Sequence, residues 1–301
     1  MSVLMRCTVL AAVAGLVGCG TVPASSPGAG NSPTQATGTP TPGAASPSST
    51  GTGTGTPSQA PRACAQPGNY LTAIRVGEHA GYDRVVFQFS GGSPAYDVDR
   101  VGTVYADPKG TPVPLAGQSF LWVVFRGATA LCPQPRGPQP LTKTYLGPST
   151  LTPYFPELLV VKAAGDFEGY LSFGIGLAAK SGFHVAILTD PYRVVIDVRH
   201  VALGKFPGIW PVTSWPRYWA LQYSWSTGHQ PWLATPAMVV QAWARDRWHA
   251  TLTVRKVTAN SFKVTEPGGR VDTVTGRRPA TVPGPWVITT VTRPTVTLAA
   301  S

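Results

Sequence analysis

The sequence predicts a mainly β protein: a disordered tether, an all-β domain, and a small α+β domain at the C-terminal end. From Tyr70 onward, apolar and polar side chains alternate with a period of two, which is typical of strands. Gly and Pro interrupt the chain at short intervals and few windows favour a helix, which predicts a sandwich or a barrel. We place the boundaries at 1–18 for a signal segment, 19–62 for the tether, 63–204 for the β domain and 205–301 for the α+β domain.

The first residues resemble a bacterial lipoprotein signal. Arg6 precedes an uncharged apolar run of about 11 residues, which is shorter than the roughly 20 that a membrane-spanning helix needs. The run ends in Leu16-Val17-Gly18-Cys19. The resemblance implies cleavage just before Cys19, a diacylglycerol on its thiol, and anchoring to the outer face of the cell membrane. An ordinary secreted protein with a coincidental cysteine is the alternative.

The tether, residues 20–61, consists almost entirely of Gly, Ala, Pro, Ser and Thr and contains no charged or aromatic residue. Nothing in such a segment offsets the entropy lost on ordering, so it is expected to be disordered. As a flexible coil it would span about 35–40 Å. It would therefore let the folded part reach from the membrane into a cell wall.

The formal charge of +11 is unevenly distributed. Residues 63–204 contain 11 basic and 10 acidic residues, whereas residues 205–301 contain 11 basic and three acidic ones. This bias favours anionic partners such as lipid headgroups, wall polymers or nucleic acid. Export from the cytoplasm would make nucleic acid the weakest of the three, and we do not expect it as a partner.

Two cysteines remain once Cys7 is removed with the signal and Cys19 is lipidated. Outside the cytoplasm, Cys64 and Cys132 are expected to form a disulfide, with two buried thiols as the alternative. Closing a loop of about 69 residues would stabilise the fold by about 4 kcal/mol in the chain-entropy model.

Three stretches define the predicted β domain. In 83–89 (DRVVFQF), the side chains of Val85, Phe87 and Phe89 share one face. The stretch 120–125 (FLWVVF) is apolar on both faces, which predicts a covered central strand. Phe167 is expected on the core face of a long strand that continues to Leu177.

Three separated motifs carry a resemblance to a known domain family. They are 79–89 (HAGYDRVVFQF), 165–169 (GDFEG) with its FGIGL continuation, and 190–198 (DPYRVVIDV). Together they resemble the AMIN-like domain of actinobacterial envelope lipoproteins, from about Tyr70 to Arg199. The parent AMIN family is a β-sandwich module attached to wall amidases and secretion components. The resemblance therefore implies a sandwich that targets or scaffolds on the envelope, and it brings no catalytic residues.

The α+β domain holds eight of the nine tryptophans. Ser214 before Trp215-Pro216 predicts a helix that ends near Gly228, and Thr235-Pro236 predicts a second one to about residue 247. Strands are expected at 250–257, 262–266, 271–275 and 286–292. Indole rings beside arginines would suit an acidic glycan, although a domain this small also needs bulky side chains for its core.

The sequence predicts a non-catalytic protein with no metal and no cofactor. The five histidines lie far apart without metal-type spacing, only four glutamates occur, and no Gly-x-Ser-x-Gly elbow is present. The expected disulfide leaves no catalytic cysteine. A wall hydrolase whose site is assembled in space stays the less favoured alternative.

Three groups of residues are candidates for ligand or partner binding. The first group is a cluster of polar residues at the start of an apolar strand. Its residues could instead form a turn and ion pairs, and Gly81 is expected to shape the turn. A carboxylate pair would share a strand face, unless it is a solvated edge or is held by Arg84 or Arg193. The third group lies in a loop between the two helices, because binding residues are often found on loops. In chain order the candidates are His79, Tyr82, Asp83 and Arg84; Asp166 and Glu168; and His229, Gln230 and Trp232.

These observations predict a lipid-anchored envelope protein that binds or scaffolds at the wall, on peptidoglycan or another anionic glycan. The alternative is an accessory subunit that binds another envelope protein and recruits or activates an enzyme or transporter. The ligand, the partner and the surface or core position of the tryptophans stay open at this point.

Overall fold

The computed structural model describes residue 64, residues 66–132 and residues 141–293. The signal segment, Cys19 and the tether lie outside the described residues. The first fourteen strands are β1 (Asn69–His79), β2 (Tyr82–Ser90), β3 (Ala95–Val101), β4 (Tyr105–Ala106), β5 (Thr111–Pro112), β6 (Ser119–Arg126), β7 (Ala128–Thr129), β8 (Leu131–Cys132), β9 (Thr142–Lys143), β10 (Thr150–Leu151), β11 (Leu158–Phe167), β12 (Tyr170–Leu177), β13 (Phe183–Leu188) and β14 (Arg193–Arg199).

Ten of these strands form two sheets that pack face to face. The first sheet has the order β13-β14-β2-β1-β7 and the second sheet the order β10-β11-β12-β6-β3. All neighbours are antiparallel except β1 and β7. Phe87 of the first sheet meets Phe125 and Phe173 of the second, with ring centroids 5.1 and 4.9 Å apart. The predicted β-sandwich is confirmed.

The alternation in β2 explains why this strand lies against the core. Val85, Phe87 and Phe89 are almost fully buried between the sheets, while Arg84 and Gln88 point away from the core. Burying each such apolar side chain contributes about 1.5–3 kcal/mol. A shift of register by one residue would bring the polar side chains inward, so the pattern also determines the register.

The C-terminal part contains helix α1 (Trp215–Ser226), a 3₁₀ turn (Pro231–Ala234), helix α2 (Pro236–Trp248), and the strands β15 (Val254–Lys256), β16 (Ser261–Thr265), β17 (Val271–Arg277) and β18 (Val287–Thr292). These four strands form one antiparallel sheet in chain order. Helix α2 packs on this sheet around a core that includes Val240, Phe262 and Trp286. The predicted helices and sheet are therefore confirmed, although the first strand is shorter than expected.

Helix α1 covers part of the outer face of the second sheet. Tyr218 and Trp219 are buried together with Leu159 and Val160 of β11. The Gln222 side chain accepts a hydrogen bond from the Gly117 N–H at 2.8 Å and donates one to the Gly117 carbonyl at 3.1 Å. Residues of the two predicted domains thus share one core cluster, and the exact domain boundary stays a prediction.

The glycines of β12 explain how the chain packs so closely on this face. A Cβ atom at Gly176 would lie 2.0 Å from the carbonyl oxygen of Ala116, and one at Gly174 would lie 2.9 Å from Leu115. Residues 115–116 therefore press directly onto the sheet. This contact accounts for the alternating glycines of the FGIGL motif.

Candidate binding surfaces

The β1–β2 hairpin places three of the predicted residues in one row on the outer face of the first sheet. Gly81 forms the turn with φ +87°, as expected. The rings of His79 and Tyr82 are stacked with centroids 4.7 Å apart. The Arg84 guanidinium lies 5.3 Å from the Tyr82 ring centroid. This row is partly open to solvent and offers a flat aromatic surface beside a cation.

Arg84 is held in place by the neighbouring strand. Its Nε and Nη2 donate to the two carboxylate oxygens of Asp197 at 2.6 and 2.7 Å. These hydrogen bonds raise the pKa of the guanidinium. Asp197 lies opposite Arg84 in the register of β2 and β14, so the pair fixes the orientation of the row.

Asp83 points the other way and is fully buried. One of its oxygens accepts hydrogen bonds from the N–H groups of Glu157 and Leu158 at 2.7 and 2.8 Å, and the other contacts His200 Nε2 at 2.7 Å. The carboxylate thus joins the first sheet to the start of β11 in the second. This geometry fits the alternative of a turn and ion-pair role for Asp83, because its buried carboxylate is not accessible to a ligand.

Glu157 lies beside this contact and is also fully buried. One oxygen accepts the Ala179 N–H at 2.7 Å, while Oε2 has no hydrogen-bond partner in the described part of the chain. Burial raises the pKa of the carboxyl, and the nearby Asp83 charge acts in the same direction. Sequence reasoning did not single out Glu157, because nothing in its surroundings along the chain distinguishes it from a surface residue.

The rest of the outer face of the first sheet carries more arginines around a central apolar pair, Val86 and Val195. Arg75, Arg193 and Arg199 join Arg84 there, whereas Asp197 supplies the carboxylate. A depression of about 670 Å³ next to the hairpin is lined by Tyr82, His184, Asp197 and Arg199, among others. The two core clusters that contain α1 and α2 include no residue of β1, β2, β13 or β14. The alternation in 193–199 (RVVIDVR) is the signal that could have located Arg193 and Arg199.

The two carboxylates of the predicted pair, Asp166 and Glu168, do not lie side by side on one strand. The chain turns at Glu168 (φ +50°) and Gly169 (φ +79°), so the expected long strand is instead the β11–β12 hairpin. Asp166 accepts hydrogen bonds from the Thr129 hydroxyl at 3.0 Å and the Ala130 N–H at 2.9 Å, rather than from Arg84 or Arg193. Glu168 is exposed at the turn. The idea that both share a strand face is wrong, because the hairpin separates them.

Phe167 also departs from expectation. It is 46% exposed instead of lying in the core, since it is the last residue of β11 before the turn. Together with Trp122 and Tyr170 it lines a groove on the outer face of the second sheet that also contains four carboxylates. Sequence reasoning missed this groove, whose acidic residues come from three separate segments.

The three candidate residues in the loop between the helices differ in how exposed they are. His229 and Gln230 are exposed, and His229 Nδ1 lies 3.2 Å from the Thr227 hydroxyl. Gln230 adopts φ +51° at the start of the 3₁₀ turn. Trp232 is partly buried and packs near Trp210, with ring centroids 6.2 Å apart. The grooves and depressions of the sandwich are not lined by residues of this loop.

The tryptophans serve mainly as core. Trp219, Trp243 and Trp286 are buried, and each of the other six is only partly exposed. Those six pack against the second and third core clusters. The C-terminal part therefore does not present an exposed, Trp-rich surface for a glycan. Its arginines at 217, 245, 247, 277 and 278 are exposed.

Cys64 and Cys132 are joined by a disulfide, with their Cα atoms 5.5 Å apart. The bond ties the start of the described chain to β8. Among the described residues, no group of three or more His, Cys, Asp and Glu side chains is arranged to hold a metal ion. None of the described helices has the length and apolar composition required to cross a bilayer.

The described residues define a β-sandwich domain: two sheets pack around an apolar core, and each sheet has a groove or depression on its outer face. Residues 69–200 match the AMIN-like domain family, in agreement with the resemblance carried by the three motifs. This match indicates a domain associated with the cell wall and an extracytoplasmic location in the envelope. No curated protein and no solved structure matches the chain.

Proposed function

We propose that the protein is a non-catalytic envelope lipoprotein that binds the cell wall through the outer face of the first sheet. Its ligand is peptidoglycan or another anionic glycan of the wall. The single observation that carries the proposal is the row of His79, Tyr82 and Arg84 on an open face with three more arginines.

The chemistry of this face suits a long, anionic, sugar-containing polymer. Guanidinium groups bind carboxylates and phosphates through paired hydrogen bonds, and sugar rings stack on aromatic faces such as Tyr82. Because its arginines lie on three neighbouring strands, the face can contact several repeating units at once. Each contact is weak, so affinity would come from several contacts acting together.

The anchor and the tether complete the proposal. A lipid on Cys19 would hold the chain at the outer face of the membrane, and residues 20–61 would give the sandwich the reach to meet the wall. Mass spectrometry of the mature protein tests this part. An N-terminal Cys19 carrying acyl groups supports it, and a mature chain that starts elsewhere overturns it.

Cosedimentation of the full chain with insoluble peptidoglycan tests the binding face. Substituting Arg75→Gln and Arg199→Gln should reduce retention about tenfold, since two charge-assisted contacts are lost. The matched control is Arg255→Gln with Arg277→Gln, which removes the same charge from exposed positions of the C-terminal part. Retention of this control within about twofold of the parent separates local contacts from net charge.

Equal losses in both variants would mean that the face makes no specific contact. A parent protein that does not sediment with the wall at all would overturn wall binding. If retention then required an added envelope extract, the result would favour the alternative of an accessory subunit that binds another protein.

A further inference from the structure

The outer face of the second sheet is open where α1 does not cover it, and there it forms a groove of about 550 Å³. We call it the acidic groove. Its floor contains Trp122 and Val124 of β6, and one wall is β3 with Asp97 and Asp99. Asp107 and the β11–β12 hairpin, with Glu168 at its tip, complete the lining.

The register of the sheet determines where the carboxylates of β3 point. Tyr96 and Val98 pack against the core of the sandwich, so Asp97 and Asp99 point outward on the same face. Asp97 lies opposite Val124, and Asp99 lies opposite Trp122. Two carboxylates two residues apart on a strand are separated by about 7 Å along it.

The groove has an excess of negative charge. Four of the 13 acidic residues of the chain line it, against the single guanidinium of Arg126, which forms an ion pair with Asp97. Asp107 accepts a hydrogen bond from the Ser172 hydroxyl at 3.1 Å. Asp99 and Glu168 are exposed and have no hydrogen bond or ion pair with any described residue. These two carboxylates are therefore available to a ligand.

Aromatic side chains stand next to the carboxylates. Phe167 and Tyr170 are 46% and 50% exposed at the end of the hairpin, which leaves apolar surface unburied in a position close to charge. An aromatic face beside a carboxylate suits an ammonium group on an apolar stem, because the stem packs on the ring and the ammonium pairs with the acid.

The backbone next to the groove is suited to pairing with a polypeptide. Strand β3 is at the edge of the second sheet and pairs only with β6 among the described residues. An edge strand presents free N–H and C=O groups, and an extended peptide can pair with them. Side chains of such a peptide at alternate positions would lie over the groove, in register with Asp97 and Asp99.

We propose that the acidic groove and the edge of β3 bind an extended, lysine-bearing segment of a partner protein. One lysine would pair with Asp99. A second lysine, two positions closer to the β11–β12 hairpin, would extend from beside Asp97 towards Glu168 and the rings of Phe167 and Tyr170. The site lies on the opposite side of the sandwich from the proposed wall-binding face and has the opposite charge. It does not depend on wall binding, and it supplies the contact that an adaptor needs.

Fluorescence anisotropy with a labelled seven-residue peptide tests the proposal. The peptide carries two lysines two positions apart between neutral β-forming residues, and the protein is the full chain. Because the chain has a net charge of +11, its long-range field repels this peptide, so binding reports a local site. We expect binding that weakens with added NaCl and is lost when both lysines are acetylated.

The variant Asp99→Asn with Glu168→Gln should weaken peptide binding about tenfold or more. Its matched control is Glu78→Gln with Asp190→Asn, which removes two exposed acidic charges elsewhere and should stay within about twofold of the parent. The variant Arg75→Gln with Arg199→Gln should leave peptide affinity unchanged, so this proposal and the proposed wall binding fail independently.

Three results would overturn the proposal. They are an affinity unaffected by Asp99→Asn with Glu168→Gln, equal binding of the acetylated peptide, and no binding by the parent protein. Displacement of the peptide by soluble wall fragments would also overturn it, since the groove would then be a glycan site.

Discussion

The outer faces of the two sheets differ in composition and in what covers them. On the first sheet, arginines, histidines and Tyr82 project from strands whose other face is apolar, and neither core cluster that contains a helix extends onto that face. On the second sheet, Leu159, Val160 and the glycines of β12 lie beneath α1 and residues 113–116, and only the acidic groove is open. Among the described residues, one face of the first sheet packs against a core cluster, whereas most of both faces of the second sheet do so.

This difference has an energetic consequence. Side chains on the outer face of the first sheet make few contacts with the rest of the protein. Substituting them should therefore affect ligand binding more than stability. Side chains on the covered part of the second sheet are core residues, so changing them should affect stability first.

Trp219→Ala should lower the free energy of unfolding by about 4 kcal/mol, because it removes a buried ring from between α1 and the second sheet. Urea denaturation followed by far-UV circular dichroism measures this loss. The control Phe167→Ala removes an exposed ring of the same sheet and should cost less than about 1 kcal/mol. Equal costs would mean that α1 does not stabilise the sheet.

Asp83→Ala should lower the free energy of unfolding by about 3 kcal/mol. The change leaves the buried N–H groups of Glu157 and Leu158 without an acceptor and His200 without its carboxylate. The same denaturation experiment tests it, with Asp99→Ala as an exposed control within about 0.5 kcal/mol of the parent. A loss below about 1 kcal/mol would show that the two sheets do not rely on this contact.

Glu157→Gln should change how stability depends on pH. The pKa of Glu157 is raised above its ordinary value of 4.5 by burial, so the folded protein holds this proton more tightly than the unfolded chain does. This contribution to stability is fully present below about pH 4.5 and is lost as the pH rises through the raised pKa. The variant lacks the group and should therefore lose less stability over that interval.

Thermal denaturation of parent and Glu157→Gln proteins between about pH 4 and 8 measures the two slopes. The difference between them isolates Glu157, because the other shifted carboxyls, Glu266 and Asp272, are present in both proteins. Identical slopes would mean that Glu157 titrates as in the unfolded chain.

Arg84→Gln should cost only about 0.5 kcal/mol, although it breaks the paired hydrogen bonds to Asp197. The side chains of the pair are 35% and 22% exposed, and water screens partly exposed ion pairs. A double-mutant cycle with Asp197→Asn measures the coupling. A coupling above about 2 kcal/mol would mean that the outer face of the first sheet contributes to stability. The difference between the outer faces of the two sheets would then be smaller than proposed.

The regular parts of the fold were accessible from local patterns. The alternation in 83–89 predicts which side of β2 is buried, and the doubly apolar stretch 120–125 predicts a covered strand. Pro after Ser214 and after Thr235 located the starts of both helices. Each of these signals comes from residues close together in the chain, where backbone geometry alone relates them to one face.

The candidate sites depended on contacts that local patterns do not contain. His79, Tyr82 and Arg84 share a face because they belong to one hairpin, so their row could be anticipated. Asp83, in the same motif, instead accepts hydrogen bonds from the backbone of Glu157 and Leu158 at the start of β11, more than 70 residues away. The Asp166 and Glu168 pair was misjudged because the turn at Gly169 interrupts the alternation that would have aligned them.

The amino-acid sequence was enough to predict the strands, the two helices, the disulfide partners and the charge asymmetry, since periodicity, capping and composition are local or additive properties. The folded structure was needed to show which faces are open. Whether a side chain meets solvent, a helix or another sheet depends on the packing of distant segments, and this packing brought Asp99, Trp122 and Glu168 into one groove. Burial is a property of the assembled fold, so a residue type that reads as surface, such as Glu157, can lie in the interior.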